Sequence, residues 1–122
     1  TMPGSNSGVY FHTKWQDEGW PEHGYESQVN QTQGDPGKSG SLYNVIKLYE
    51  TPAEDGKWYE HRVKVEGQNI RIHTSVKLVI DDAEHEFVNE LRCQSRGTMA
   101  LQSHDPNSVV YYRNLKIRPL NE

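Results

Sequence analysis

The stretch KWYEHRVKVEGQNIRIHTSVKLVID, residues 57–81, decides the fold class. Its apolar residues alternate with polar ones or gather in short β-branched runs, and Glu66-Gly67-Gln68-Asn69 interrupts them with turn chemistry. Successive strand side chains point to opposite faces, so this pattern spells antiparallel strands. Working outward, the same reading gives strands at Gly8–Lys14, Gly24–Asn30, Ser39–Tyr49, Lys57–Glu66, Asn69–Thr74, Val76–Asp81, Gly97–Ser103 and Ser108–Arg118. Gly34-Asp35-Pro36-Gly37 and Asp105-Pro106-Asn107-Ser108 supply two more turns. Only Ala83–Leu91, with Phe87 and Val88 among acidic and amide residues, suits a loop or short helix. Short strands spaced by turns predict an all-β sandwich or jelly roll.

The 122 residues suffice for one domain. With Gly counted and Tyr left out, apolar residues make up about 35%, below the roughly 45–50% of an average domain. A net charge of only −4 and 10% aromatic residues nevertheless separate the chain from disordered segments. No apolar run approaches the ~18–20 residues of a membrane span, and no signal-peptide h-region opens the chain. One cysteine, Cys93, leaves no intrachain disulfide and no thiolate cluster. A pI near 5.8 with interspersed charges gives no footprint for nucleic acid or an anionic membrane.

Alternation also sorts the polar side chains. Tyr10 and His12 share a face of the first strand, and Glu26 and Gln28 share one of the second. If Asp105–Ser108 closes a hairpin, His104 pairs with Val109, Gln102 with Tyr111 and Ala100 with Arg113, which puts Gln102, His104, Tyr111 and Arg113 together. The expected result is one sheet face of carboxylate, imidazole, amide and aromatic groups, rimmed by Trp20 from an aromatic-rich loop. Flat rings for C–H faces and forked polar groups for hydroxyls are what a carbohydrate ligand needs. Taken singly, each residue is explained as part of a solvated sheet face; the recurrence of the mixture on several segments is what favours a site. No HxH or HxxxH pair points to a metal site.

The strings Asn6-Ser7-Gly8-Val9-Tyr10-Phe11, Gly24-Tyr25-Glu26-Ser27-Gln28-Val29, Ser39-Gly40-Ser41-Leu42-Tyr43, Leu101-Gln102-Ser103-His104 and Tyr112-Arg113-Asn114-Leu115 resemble, in order and over nearly the whole chain, the 3-keto-disaccharide hydrolase family, formerly domain of unknown function 1080. The resemblance implies a concanavalin A-like jelly-roll β-sandwich with a concave sheet that holds a carbohydrate. It also implies cleavage of 3-keto-glycosides, with Glu26, His104 and His12 as acid–base candidates and Tyr10, Trp20, Gln28, Gln102, Tyr111 and Arg113 as binding groups. No cofactor is expected. A non-catalytic carbohydrate-binding module and an inactive fragment are the competing expectations.

The chain departs from the family pattern in several places. It starts at Thr1-Met2-Pro3-Gly4, so residues 1–122 are expected to be the C-terminal two thirds of the usual domain. The strands thus missing would leave open edges, which predicts completion by dimerisation, a homo-oligomer. Many relatives of that family carry Arg at the His12 position. Where the family hairpin reads Asn-Gly, this chain has Ser75-Val76, a poor pair for a type I′ turn. Ala83–Ser95 is also unlike the family. Exported relatives point to a periplasmic or extracellular location.

Overall fold

The computed structural model describes residues 1–82 and 96–120, and among these the regular structure is all β. Six strands follow in order: β1 (Asn6–Thr13), β2 (Tyr25–Asn30), β3 (His61–Glu66), β4 (Asn69–Thr74), β5 (Lys77–Asp82) and β6 (Thr98–Leu101). They make two three-stranded antiparallel sheets, ordered β2-β1-β6 and β3-β4-β5. The expected loop or short helix at Ala83–Leu91, and the rest of Ala83–Ser95, lie outside the described residues.

The β3-β4-β5 meander shows why residues 57–81 fold as read. Ile70 and Ile72 are buried on one face of β4, opposite Val65 and Val63 of β3, with Ile80 of β5 beside Ile72. On the outer face Arg71 reaches Glu66 and Asp81, each at 3.2 Å. In the other sheet Phe11 and Tyr25 stand directly opposite and stack with centroids 5.4 Å apart. Phe11, Tyr25, Leu42, Ile70, Ile72 and Ile80 form one buried cluster, so the two sheets share a core. A polar contact crosses it as well: Ser27 Oγ lies 2.7 Å from His61 Nε2. Burial pushes the His61 pKa down to about 4, so the ring is neutral there.

Alternation therefore fixes the two faces of the β1-β2 ribbon. Ser7, Phe11, Tyr25, Ser27 and Val29 turn toward the second sheet or its flanks. Asn6, Tyr10, Glu26, Gln28 and Asn30 take the opposite face. Glycine is essential at two close approaches. A Cβ on Gly40, whose φ is +97°, would stand 2.6 Å from Val79 Cγ2, and one on Gly24, whose φ is +110°, would stand 2.5 Å from the His12 carbonyl oxygen.

Four expectations need correction. Ser39–Tyr49 is no continuous strand: residues 39–43 hydrogen-bond along β2, through Ser39 N to Asn30 O and Tyr43 N to Glu26 O, and then the chain turns back. Asn44, at φ 57°, closes that turn, and the Leu42 and Ile46 backbones pair across it. The segment expected to begin as a strand at Lys57 does so only at His61. Ser108–Arg118 forms no strand and no hairpin with β6. Asp105 does make the predicted turn, accepting from the backbone N–H groups of Asn107 and Ser108, each at 2.9 Å. The chain then leaves toward the start of β1, where Val109 bonds with Met2 and Ser5. Finally, Ser75-Val76 builds the two-residue turn despite its composition, with φ of 51° and 70°. The register Thr74↔Lys77 around it is intact, so packing of β4 and β5 overrides the local preference.

Candidate functional site

Tyr10 and Glu26 are a directly opposed pair on the outward face of the β1-β2 ribbon, and both side chains are buried. They line a pocket of about 290 Å³ together with Gln28 and Asn6 from the same face. Gln102 and His104, just beyond β6, add a second wall, and the loops contribute Trp20, Asp35 and Tyr43. Trp20 meets Tyr43 edge to face at 6.1 Å. The Trp20 loop is tied by one side chain, Gln16, whose Nε2 donates to the carbonyls of Glu18 (2.8 Å) and Trp20 (2.7 Å).

The polar groups of the pocket are set by hydrogen bonds. Gln102 Nε2 donates to the Tyr10 hydroxyl at 2.9 Å, while Gln102 Oε1 is buried and has no partner among the described residues. An acceptor so placed calls for a donor, which a water or a ligand can supply. Gln28 Nε2 donates to Asn6 Oδ1 at 3.3 Å, and Asn6 Nδ2 donates to Gln33 Oε1 at 3.1 Å. The same Gln33 oxygen accepts from the Asp35 backbone N–H at 2.8 Å, which ties the Asp35 loop to the sheet. His104 Nδ1 lies 2.6 Å from Asp105 Oδ2. Hydrogen bonds from Ser108, and then from His104, hold the Asp105 carboxyl down at about 2. An anionic carboxylate on Nδ1 fixes the ring and leaves Nε2 to exchange protons, the arrangement used in acid–base catalysis.

Of the residues singled out in the sequence, the pocket gathers Tyr10, Trp20, Glu26, Gln28, Gln102 and His104. His12, Tyr111 and Arg113 are not among its lining. At His12 the alternation breaks. One extra residue of β1 stands between the Tyr10↔Ala100 and Thr13↔Thr98 pairs, and His12 takes φ 52° in that bulge. Arg113 instead lies over the Trp58 ring, 3.9 Å from its centroid. Tyr111 is exposed, and its neighbour Tyr112 is the one that turns inward, with its hydroxyl 2.8 Å from Ser7 Oγ and its pKa pushed up to about 12 by burial. All three misplacements trace to the bulge or to the missing hairpin. Asn6, Asp35 and Tyr43 went unread. Asn6 needed only the first strand's alternation carried two residues back, Asp35 arrives on a loop with no periodic signal, and Tyr43 lies in the stretch read as one long strand, just before the turn that ends its pairing with β2. Among the described residues no group of three His, Cys, Asp or Glu side chains is placed to hold a metal ion.

An antiparallel sheet bearing a buried carboxylate, an oriented imidazole, amides and a tryptophan in one open pocket makes an all-β domain whose site suits a small polar ligand. Comparison with protein families agrees, and is more specific. The model of the 3-keto-alpha-glucoside-1,2-lyase-like domain matches residues 1–118, and the chain belongs to that family. No curated protein and no solved structure matches it.

Proposed function

We propose that the protein cleaves 3-keto-glycosides by elimination, with Glu26 as general base and His104 as general acid. A ketone at C3 acidifies the C2–H. Glu26 takes that proton, the electron pair forms the C1=C2 bond, and the C1–O bond breaks as His104 gives its proton to the departing oxygen. A lyase stops at this enone; a hydrolase then adds water, with hydroxyl to C1 and hydrogen to C2. The proposed outcome is hydrolysis. The observation that carries the elimination step, common to both, is the convergence of Glu26 and the Asp105-bound His104 on one pocket. The orphan Gln102 Oε1 supports a hydroxylated ligand there.

The finer parts of the proposal are a concanavalin A-like jelly roll, completion of the open sheet edges by a second copy, and a periplasmic or extracellular setting. The shared core of two antiparallel sheets supports the first.

The test is leaving-group release from a 3-keto-glucoside by wild type and Glu26→Gln, followed also in the near ultraviolet, where the enone absorbs. The variant is expected to lose roughly 10²–10⁴-fold in rate. Equal rates would remove Glu26 from the mechanism. Sugar binding without turnover in either protein would make this a binding module, and accumulating enone would make it a lyase.

A further inference from the structure

His104 stands at the end of a hydrogen-bond chain that begins on β1. Gln102 N donates to Gly8 O at 2.9 Å, and His104 follows beyond the β1-β6 ladder. Its ring is held by side chains. Asp105 Oδ2 is 2.6 Å from His104 Nδ1 and also 2.6 Å from Ser108 Oγ, so imidazole and hydroxyl share one carboxylate oxygen. Ser108 Oγ in turn accepts from the Asn6 backbone N–H at 2.9 Å, and its own proton goes to Asp105. Asn6 also walls the Glu26 pocket, where its Oδ1 accepts from Gln28 Nε2. One residue of β1 thus ties the turn beside His104 to the strand that carries Glu26.

We infer that Ser108 is a positioning residue for His104, acting through Asp105 to aim the ring's Nε2 at the departing oxygen. This rests on the cleavage reading above, in which His104 is the acid. Asp105 Oδ1 accepts from the backbone N–H groups of Asn107 and Ser108, and Ser108 Oγ engages Oδ2, so both carboxylate oxygens are tied down. The Ser108 hydroxyl is also the main reason that the Asp105 carboxyl is held at about 2, which keeps Oδ2 an acceptor for the Nδ1 proton. The ring therefore keeps one orientation when it gives up its Nε2 proton and when it regains one. Without the hydroxyl, Asp105 is tied only to its own turn, and its link to β1 through Asn6 is gone.

Leaving groups that differ in their need for a proton test this. Methoxide must be protonated as it departs, whereas p-nitrophenolate is stable without a proton. On methyl 3-keto-α-glucoside, Ser108→Ala is expected to lose at least about tenfold in kcat, and on the p-nitrophenyl compound less than about threefold. Ser108→Thr, which keeps the hydroxyl, should stay within about threefold of wild type on both. A merely structural role would slow both glycosides alike. Nitrogen NMR of the wild-type protein with labelled histidine needs no variant: the neutral His104 ring should carry its proton on Nδ1. Equal losses on the two glycosides, no loss on the methyl one, a Thr variant as slow as Ala, or a neutral ring protonated on Nε2 would each overturn the inference. Wild type that cleaves neither glycoside would sink the cleavage reading and the inference together, whereas wild-type cleavage with equal losses sinks the inference alone.

Discussion

Gly8 makes the room that Glu26 occupies. A Cβ on Gly8 would stand 2.2 Å from Glu26 Oε1 and 2.8 Å from its Cδ, far inside contact distance. Gly8 lies on the pocket face of β1, two residues before Tyr10, so the Glu26 carboxylate rests over bare backbone. The missing side chain is what lets a buried carboxylate lie flat in the pocket beside its cross-strand partner.

Gly8→Ala should therefore cut turnover of a 3-keto-glucoside by at least tenfold, since displacing a reacting group by about 1 Å can cost 10²-fold. The double variant Gly8→Ala/Glu26→Asp, with a carboxylate one methylene shorter, should recover part of the loss. Rate measurements alongside a thermal melt check this. Wild-type turnover in Gly8→Ala would show that the carboxylate has no fixed seat.

Val76→Gly should stabilise the protein. Both Ser75 and Val76 hold positive φ, and Val76 is largely exposed, so its side chain contributes little to set against the strain. A left-handed non-glycine residue costs about 1–2 kcal/mol, partly offset by the extra freedom glycine gives the unfolded chain. A net gain near 1 kcal/mol should raise Tm by about 3–6 °C. An unchanged or lower Tm in calorimetry would contradict it.

His61 makes stability depend on acid. Its folded pKa of about 4 lies below the unfolded 6.5, so its stabilising contribution is complete above pH 6.5 and is lost as pH falls through 4. At about 1.4 kcal/mol per unit the loss is on the order of 3–4 kcal/mol. His61→Gln, which keeps a donor toward Ser27 but does not titrate, should flatten urea-melt midpoints between pH 7 and 4. An equally steep profile in the variant would assign the acid sensitivity elsewhere.

Asn30→Ala should destabilise by about 2–4 kcal/mol. Asn30 is fully buried at the end of β2, where Nδ2 donates to the carbonyls of Asp35 and Gly37, each at 3.0 Å, and Oδ1 accepts from Gln33 N at 2.9 Å. Those bonds shape the loop that carries Asp35 to the pocket. Denaturant unfolding checks the magnitude, and a loss under 1 kcal/mol would show that the loop is held by other means.

Much of the pocket could be read from residues 8–30 and 100–104 because side-chain direction in a regular strand is a local property. Glu26, Gln28, Tyr10 and Gln102 follow from the period of two, and β4 occupies the very residues read for it, Asn69–Thr74. His12 fails for a reason no local pattern carries. Its bulge is pressed between Gly24 and Gly97, whose added Cβ atoms would meet the His12 and Thr13 backbone at 2.5 and 2.3 Å, and those glycines approach from distant parts of the chain.

What the sequence by itself determined is the strand period, the turn sites and the family strings, all consequences of backbone geometry and neighbouring side chains. What only the tertiary structure decided is where the irregular segments go. Asp105 ends one segment by capping its own turn, but whether the next segment pairs with β6 or crosses to Ser5 and Met2 depends on competition between remote hydrogen-bonding partners. That competition turned Tyr112 inward instead of Tyr111 and put Arg113 over Trp58, while bonds to Gln33 and along β2 brought Asp35 and Tyr43 to the pocket. Residues far apart in the chain compete for the same backbone groups and the same buried space, and that contest is settled only when the whole chain has packed.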